Sequence, residues 1–309
     1  MTLYTKRSTK MSEGTIAVEP EHVTSLTPNG IEVFYSWAPR RYYKLCYRGG
    51  NRPPFEEEGV WVEVPSVTKV LDVLDKSGAL TWWGMKVGVK GVLRLVEQNK
   101  LDVLAGHECV YLTDAVIAFL TQEKLTVNHV KDKAADRGTN IHKAFEAWAV
   151  DPSFRPDPNV YPENEQGYIR GLNSFLGDLG PVDDIQAEVM VGSVEHGFAG
   201  RYDLRLNLGE AVMVVKTFPK RKPQHDLIAP GKYLLDLKTS KSVYDSHALQ
   251  LAAYEMASVE CGYGPTDYRA VVHVTEDGRY ELVRTHAAPE DFLSILQAHQ
   301  TMQRSKEWM

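Results

Sequence analysis

Two strand-like runs, and the helix that follows the second, constrain this chain more than any other feature. Residues 200–208 (G-R-Y-D-L-R-L-N-L) alternate apolar and polar side chains and carry Asp203. Residues 233–239 (Y-L-L-D-L-K-T) form a second run, with Asp236 and Lys238 two positions apart. Side chains two apart on a strand share a face, so Asp236 and Lys238 look the same way from a rigid support. A carboxylate next to a lysine, with another carboxylate delivered by the preceding strand, suits metal-assisted phosphodiester hydrolysis. The carboxylates would hold a hard divalent cation; the lysine would orient or deprotonate water and steady the phosphate charge. Taken alone, Asp-x-Lys equally describes a β-meander with a surface ion pair.

Two helices add to the pattern. The helix predicted over 246–261 presents Gln250 and Tyr254 four apart, hence on one face, directly after the lysine strand. Earlier, residues 131–150 place Gly138, His142 and Glu146 at four-residue steps along another helical face. A lone histidine on an amphipathic helix is usually a polar core residue, but this one precedes the two-carboxylate platform. Arg137, next to the glycine, is a candidate phosphate contact. Glu188 lies on the run I-Q-A-E-V-M-V, fifteen residues before Asp203, and reads either as an exposed strand glutamate or as an auxiliary ligand to metal or water. Upstream, Pro65-Ser66-Val67-Thr68 opens a helix with Val67, Val70, Leu71 and Leu74 at helical spacing. Ser66 suits an N-cap and, equally, a phosphate contact at the helix end.

The combination D…D-x-K…Q-x-x-x-Y, preceded by G-x-x-x-H-x-x-x-E and by P-S-V-T-K-V-L…W-W, resembles the RecB-like branch of the PD-(D/E)XK nuclease superfamily. It is similar to phage RecB-like exonucleases and to the mitochondrial genome maintenance exonuclease. The resemblance covers residues 61–309, is strongest at 138–146 and 200–254, and matches 1–60 poorly. It implies an α/β fold with a restriction-endonuclease-like core, a mixed central β-sheet flanked by helices. Residues 1–60 would be a β-rich N-terminal extension and 61–309 the nuclease domain.

The activity implied is a metal-dependent DNA exonuclease that leaves 5′-phosphates and acts in replication, recombination or repair. His142, Asp203 and Asp236, with the carbonyl of Leu237, would hold Mg²⁺ or Mn²⁺, and Lys238 would position and activate water. Glu188 matches an additional acidic residue of the family; Glu146 would orient His142 or a substrate contact from behind. Gln250 and Tyr254 would order the platform or touch the strand being cut. A structure-specific endonuclease, an RNA-directed nuclease and a non-catalytic DNA-binding subunit of a helicase or recombinase complex stay open. The intact D…D-x-K set argues against the last. The implied partner is DNA, with a single-strand annealing protein or helicase beside it and no membrane; ring-forming relatives allow an oligomer. The implied setting is a bacterial or phage-infected host cytoplasm.

Composition narrows the rest. With 309 residues, 43% hydrophobic and 25% charged, the chain can bury a full core. No run approaches the length of a membrane span, and the start lacks the apolar stretch of a signal peptide. A net charge of −6 favours a compact channel over a broad basic face. Cys46, Cys109 and Cys261 are far apart, which suits a reducing compartment and argues against structural zinc or a four-thiolate iron–sulfur cluster.

The first twenty residues read as a loose arm, and three strands follow within 31–64. There Arg40, Arg41, Lys44, Arg48 and Arg52 interleave with Tyr42, Tyr43 and Tyr47, which fits a solvated sheet face or a nucleic-acid contact. Helices are expected within 85–125, and Trp82 and Trp83 read as core residues or as base-stacking ones. Lys216, Lys220, Arg221, Lys222 and His225 form the densest basic cluster, a solvated loop or a DNA-backbone contact. A helix at 163–178, strands at 268–275 and 279–285, and a helix at 289–306 complete the expectation.

Overall fold

The alternating runs that carry the two aspartates pair with each other. In the computed structural model, which describes residues 22–37, 40–47, 59–74, 77–98, 109–216 and 224–305, they belong to a five-stranded sheet. Its strands are β5 (Val182–Ser193), β6 (Phe198–Leu208), β9 (Gly231–Lys238), β10 (Tyr268–Val274) and β11 (Tyr280–Arg284), in the spatial order β11-β10-β9-β6-β5. Only β9 and β10 are parallel; every other neighbouring pair is antiparallel. Parallel neighbours need a crossover, and α6 (Asp245–Glu260) supplies it. That helix lies against β5, β6, β9 and β10, with α1 (Val67–Leu71) and α7 (Pro289–Ser305) packed on it. The result is a mixed sheet flanked by helices, an α/β fold.

A second sheet is a four-stranded antiparallel meander of β1 (His22–Leu26), β2 (Ile31–Ser36), β3 (Tyr42–Tyr47) and β4 (Val62–Val64). It packs closely on the larger sheet: a methyl built at Gly192 would lie 2.3 Å from Leu45 Cδ2. Strand β1 was not expected, since His22–Leu26 is a short run with only two apolar residues, Val23 and Leu26. A ribbon of β7 (Val212–Lys216) and β8 (Gln224–Ile228) stands between β6 and β9, so the expected basic loop gives way to a strand at Gln224.

The chain divides into two compact units. One holds the described residues up to Val73 together with those from His142 onward; the other is Leu74–Ile141. The boundary expected at 60/61 falls inside the first unit. The second unit contains α2 (Ser77–Glu97), α3 (Cys109–Gln122) and the first part of α4 (Val127–Val150). Trp82 corrects the expectation of a core residue: it is 57% exposed, with Lys86 Nζ 5.0 Å from its ring centroid. Helix α2 has more apolar positions than the face it buries at Leu95, and Met85, Val89 and Leu93 are exposed with Trp82. No described helix is long and apolar enough to cross a membrane.

Helix α5 (Glu163–Asp178) begins after Pro162 with Glu163 and Glu165 in its first turn, which complements the helix dipole. Two glycines let it approach the β10–β11 hairpin at backbone distance. A methyl at Gly167 would sit 1.6 Å from the Glu276 carbonyl oxygen, and one at Gly171 would sit 2.5 Å from that of Arg279. Phe175 of α5 meets Phe145 of α4 edge-on at 6.3 Å, which fixes the segment of α4 that carries His142. The same substitution therefore has opposite signs along α5. Gly167→Ala should lower stability by about 3 kcal/mol or more, since rigid backbone must move. Gly177→Ala, with nothing within 4 Å of the added methyl, should raise it by about 0.5 kcal/mol. Urea unfolding of both variants checks the pair.

Candidate metal centre

Strands β6 and β9 stop pairing at Leu204↔Leu235, one step before the two aspartates. Beyond that point the Asp203 carboxylate replaces a ladder acceptor: the N–H of Leu237 donates to Asp203 Oδ2 at 2.7 Å. On the other side, the pairs Ala187↔Leu204 and Val189↔Tyr202 set Glu188 across from Asp203. Glu188 has φ of 53°, a left-handed conformation that is uncommon for a residue other than glycine. Such a residue in mid-strand re-aims its side chain at a local cost of about 1 kcal/mol or more. Here the carboxylate turns toward Asp203. From α4, His142 Nδ1 comes within 3.4 Å of Asp203 Oδ1. One ligand atom each from His142, Glu188 and Asp203 thus fall within 4.8 Å of one another.

Asp236 and Lys238 share a face as expected, with Lys238 Nζ 2.7 Å from Asp236 Oδ2. The contact is an ion pair without hydrogen-bond geometry, so buried Oδ2 keeps no directed partner. Behind the platform, Gln250 Nε2 donates to the Tyr254 hydroxyl at 2.8 Å, and both side chains are buried. The Tyr254 ring explains Gly200 in G-R-Y-D, because a methyl there would lie 2.4 Å from Tyr254 Cε1. Gln250 and Tyr254 therefore brace the strands from α6.

The charges are crowded. Burial opposes ionisation of Asp203, yet His142, Lys238 and the Leu237 N–H together hold its carboxyl below the usual carboxylate range. Burial disfavours the His142 imidazolium, but Asp203 outweighs it and the pKa rises from the ordinary 6.5 to about 9. Burial lifts Glu188 to about 7 against the pull of Arg201, and lifts Asp236 to about 6 against that of Lys238, Asp203 adding to both. Lys238 loses by burial and gains more from Asp236 and Asp203, so it stays an ammonium. Without a cation the cluster binds protons to offset surplus negative charge. One imidazole nitrogen and several carboxylate oxygens are the donors a hard divalent ion accepts. The residues present fit Mg²⁺ or Mn²⁺.

Of the expected ligands, His142 and Asp203 come together with Glu188, whereas Asp236 lies outside that group of three and pairs with Lys238. Glu146 acts on Glu188 through its charge. Leu237 contributes its N–H to Asp203. Ser66 caps α1, accepting from the Lys69 N–H at 3.1 Å. It also bridges to Ala199 at the start of β6. Arg137 lies in the part of α4 that belongs to the second unit, and Lys220, Arg221 and Lys222 lie outside the described residues. The sequence reading passed over Arg201, whose Nε sits 2.7 Å from Glu188 Oε2. The signal was present, since Arg201 and Asp203 are two apart on one strand, as Asp236 and Lys238 are.

No protein-family model matches the chain, and no curated protein matches it. Among solved structures, the crystal structure of SSO0001 is similar over 43% of this chain and 56% of that one, at 16% identity and a TM-score of 0.25. The chain spans little more than half of SSO0001 in this alignment, and so slight a likeness bears on neither fold nor function.

The His142–Asp203 pair has a pH signature. A histidine pKa raised from 6.5 to about 9 on folding stabilises the metal-free protein fully below 6.5, and the contribution is lost as pH rises through about 9. The difference in urea midpoint between the wild type and His142→Asn, measured in EDTA, should therefore shrink across that interval. A gap that grows with pH would contradict the pairing.

Proposed function

We propose that this protein is a metal-dependent deoxyribonuclease, an exonuclease acting in DNA replication, recombination or repair. The observation that carries the reading is the convergence of His142, Glu188 and Asp203 within 4.8 Å, beside the Asp236–Lys238 pair, at one end of a mixed sheet. A surface ion pair does not account for two largely covered carboxylates from neighbouring strands meeting a histidine, with buried Asp236 on the next strand. The D…D-x-K…Q-x-x-x-Y resemblance supplies the restriction-endonuclease-like assignment, the preference for DNA and the exonuclease mode.

His142, Asp203, Glu188 and Asp236 would hold Mg²⁺ or Mn²⁺. The bound ion supplies Lewis acidity toward a phosphodiester oxygen and lowers the pKa of water. Lys238, kept cationic by two aspartates, orients the attacking water and steadies charge that grows on the phosphate. A bond forms between the water oxygen and phosphorus as the water gives up a proton to solvent, and the bond from phosphorus to the 3′-oxygen breaks, that oxygen taking a proton from solvent, which leaves a 5′-phosphate and a 3′-hydroxyl. Tyr254, held by Gln250, seats α6 against Gly200 on the strand that carries Asp203. The reading places the protein in a bacterial or phage-infected cytoplasm with DNA as its partner.

Lys238→Ala should lower cleavage of linear DNA by about 100-fold or more while Mn²⁺ still binds. Digestion of linear and covalently closed DNA by the two proteins, with Mn²⁺ calorimetry alongside, checks this. Full activity in the variant would remove Lys238 from the reaction, and cutting of closed circles would move the reading to an endonuclease. Metal and proton compete at His142, so Mn²⁺ affinity should rise up to about tenfold per pH unit between about pH 7 and about 9. In His142→Ala that dependence should flatten and the affinity fall.

A further inference from the structure

Arg201 connects the candidate metal centre to the N-terminal sheet. Its Nε pairs with Glu188 at 2.7 Å, yet the side chain stays 45% exposed. Its guanidinium carbon lies 6.0 Å from the Tyr35 ring centroid. Tyr35 is held from behind: it pairs with Tyr43 across β2 and β3, and the two rings are 4.6 Å apart. Tyr43 is buried at 8% exposure, so Tyr35 has a fixed support. On its other side, 6.0 Å away, stands Trp37, with 41% of its surface exposed. A guanidinium, a half-buried ring and an exposed indole thus follow one another from Glu188, each 6.0 Å from the next.

We propose that Trp37, Tyr35 and Arg201 form a subsite for an unstacked nucleotide of a single-stranded DNA, next to the phosphate bound at the centre; this rests on the nuclease reading. The chemistry is matched at both ends. A guanidinium beside a candidate cleavage site is suited to a phosphate oxygen, by charge and by its fork of N–H donors. An exposed tryptophan and a braced tyrosine offer π-surface to a base, which is a sequence-tolerant contact. A base inside a duplex has both faces covered by its neighbours, so only an unpaired base can use such a surface. The substrate class that follows is a single strand or a frayed end.

The other aromatic cluster of the small sheet does not compete for this role. Phe34, Tyr42 and Trp61 lie within 6.0 Å of one another in sequence of contact, but Arg40 and Lys44 lie over the Tyr42 ring and Arg40 pairs with Glu63 at 2.7 Å. Phe34 neighbours Tyr35 along β2 and so points to the opposite sheet face, which makes it a fitting control.

The test is fluorescence anisotropy of the full-length protein with a labelled single-stranded oligodeoxynucleotide and with the blunt duplex of the same sequence. Ca²⁺ holds hydrolysis back, and a gel checks that the DNA is intact. Wild type should bind the single strand about tenfold or more tighter than the duplex. Trp37→Ala and Tyr35→Ala should each lose about tenfold in single-strand affinity with duplex affinity unchanged, Trp37→Phe should recover most of it, and Phe34→Leu should match wild type. Equal affinity of wild type for both DNAs, no binding to either, or single-strand affinity unmoved in Trp37→Ala and Tyr35→Ala would overturn the subsite. Trp37-dependent single-strand binding in a wild type that cuts nothing in Mn²⁺ would support the subsite and remove only the hydrolase.

Discussion

One hydrogen bond, from the Leu237 N–H to the Asp203 carboxylate at 2.7 Å, sits where the β6–β9 ladder ends. A buried carboxylate is costly unless its lone pairs are met, and a charged hydrogen bond of this kind contributes about 1.5–3 kcal/mol. It turns the end of a strand pair into a fixed anion. The remaining groups are placed relative to that anion. Register sets Glu188 on one side of it and Asp236 on the other, and the charge of Asp203 holds His142 as an imidazolium.

The supports around this point come from three directions. Helix α6 braces β6 through Tyr254 on Gly200, α5 steadies the His142 segment through Phe175 on Phe145, and the small sheet reaches Glu188 through Tyr43, Tyr35 and Arg201. The first two contacts are made by a ring on a bare α-carbon and a ring on a ring; the third ends in the Arg201–Glu188 ion pair. The groups they hold are the ones whose proton affinities are displaced: His142 upward by Asp203, Glu188 and Asp236 upward by burial. Perturbed titration on rigid supports is the pattern that the proposed centre calls for.

Much of this was legible in the sequence where period and punctuation agree. Pro162 and the acidic turn after it placed α5 at Glu163–Asp178, and period-two alternation put Asp236 and Lys238 on one face before any coordinate did. Ser66 announced the start of α1. Illegible features depended on tertiary context. Nothing at Glu188 signals a left-handed backbone, since such positions are usually marked by glycine or asparagine. Periodicity told which residues of α2 share a face but not whether anything covers it, hence the exposed Trp82. Strand β8 begins directly after a basic proline-bounded run that reads as loop, and its pairing with β7 is a property of two segments that neither shows alone. Arg201 stands between Glu188 and Asp203 in the chain, and a pattern of carboxylates does not mark it.

The most direct measurement is anomalous diffraction from crystals of the protein soaked in Mn²⁺. The account predicts a peak between His142 Nδ1 or Nε2 and the carboxylates of Glu188 and Asp203, with Asp236 on its near side, and loss of that peak in Asp203→Asn. A well-ordered centre without any peak, or a peak held only by other residues, would contradict it.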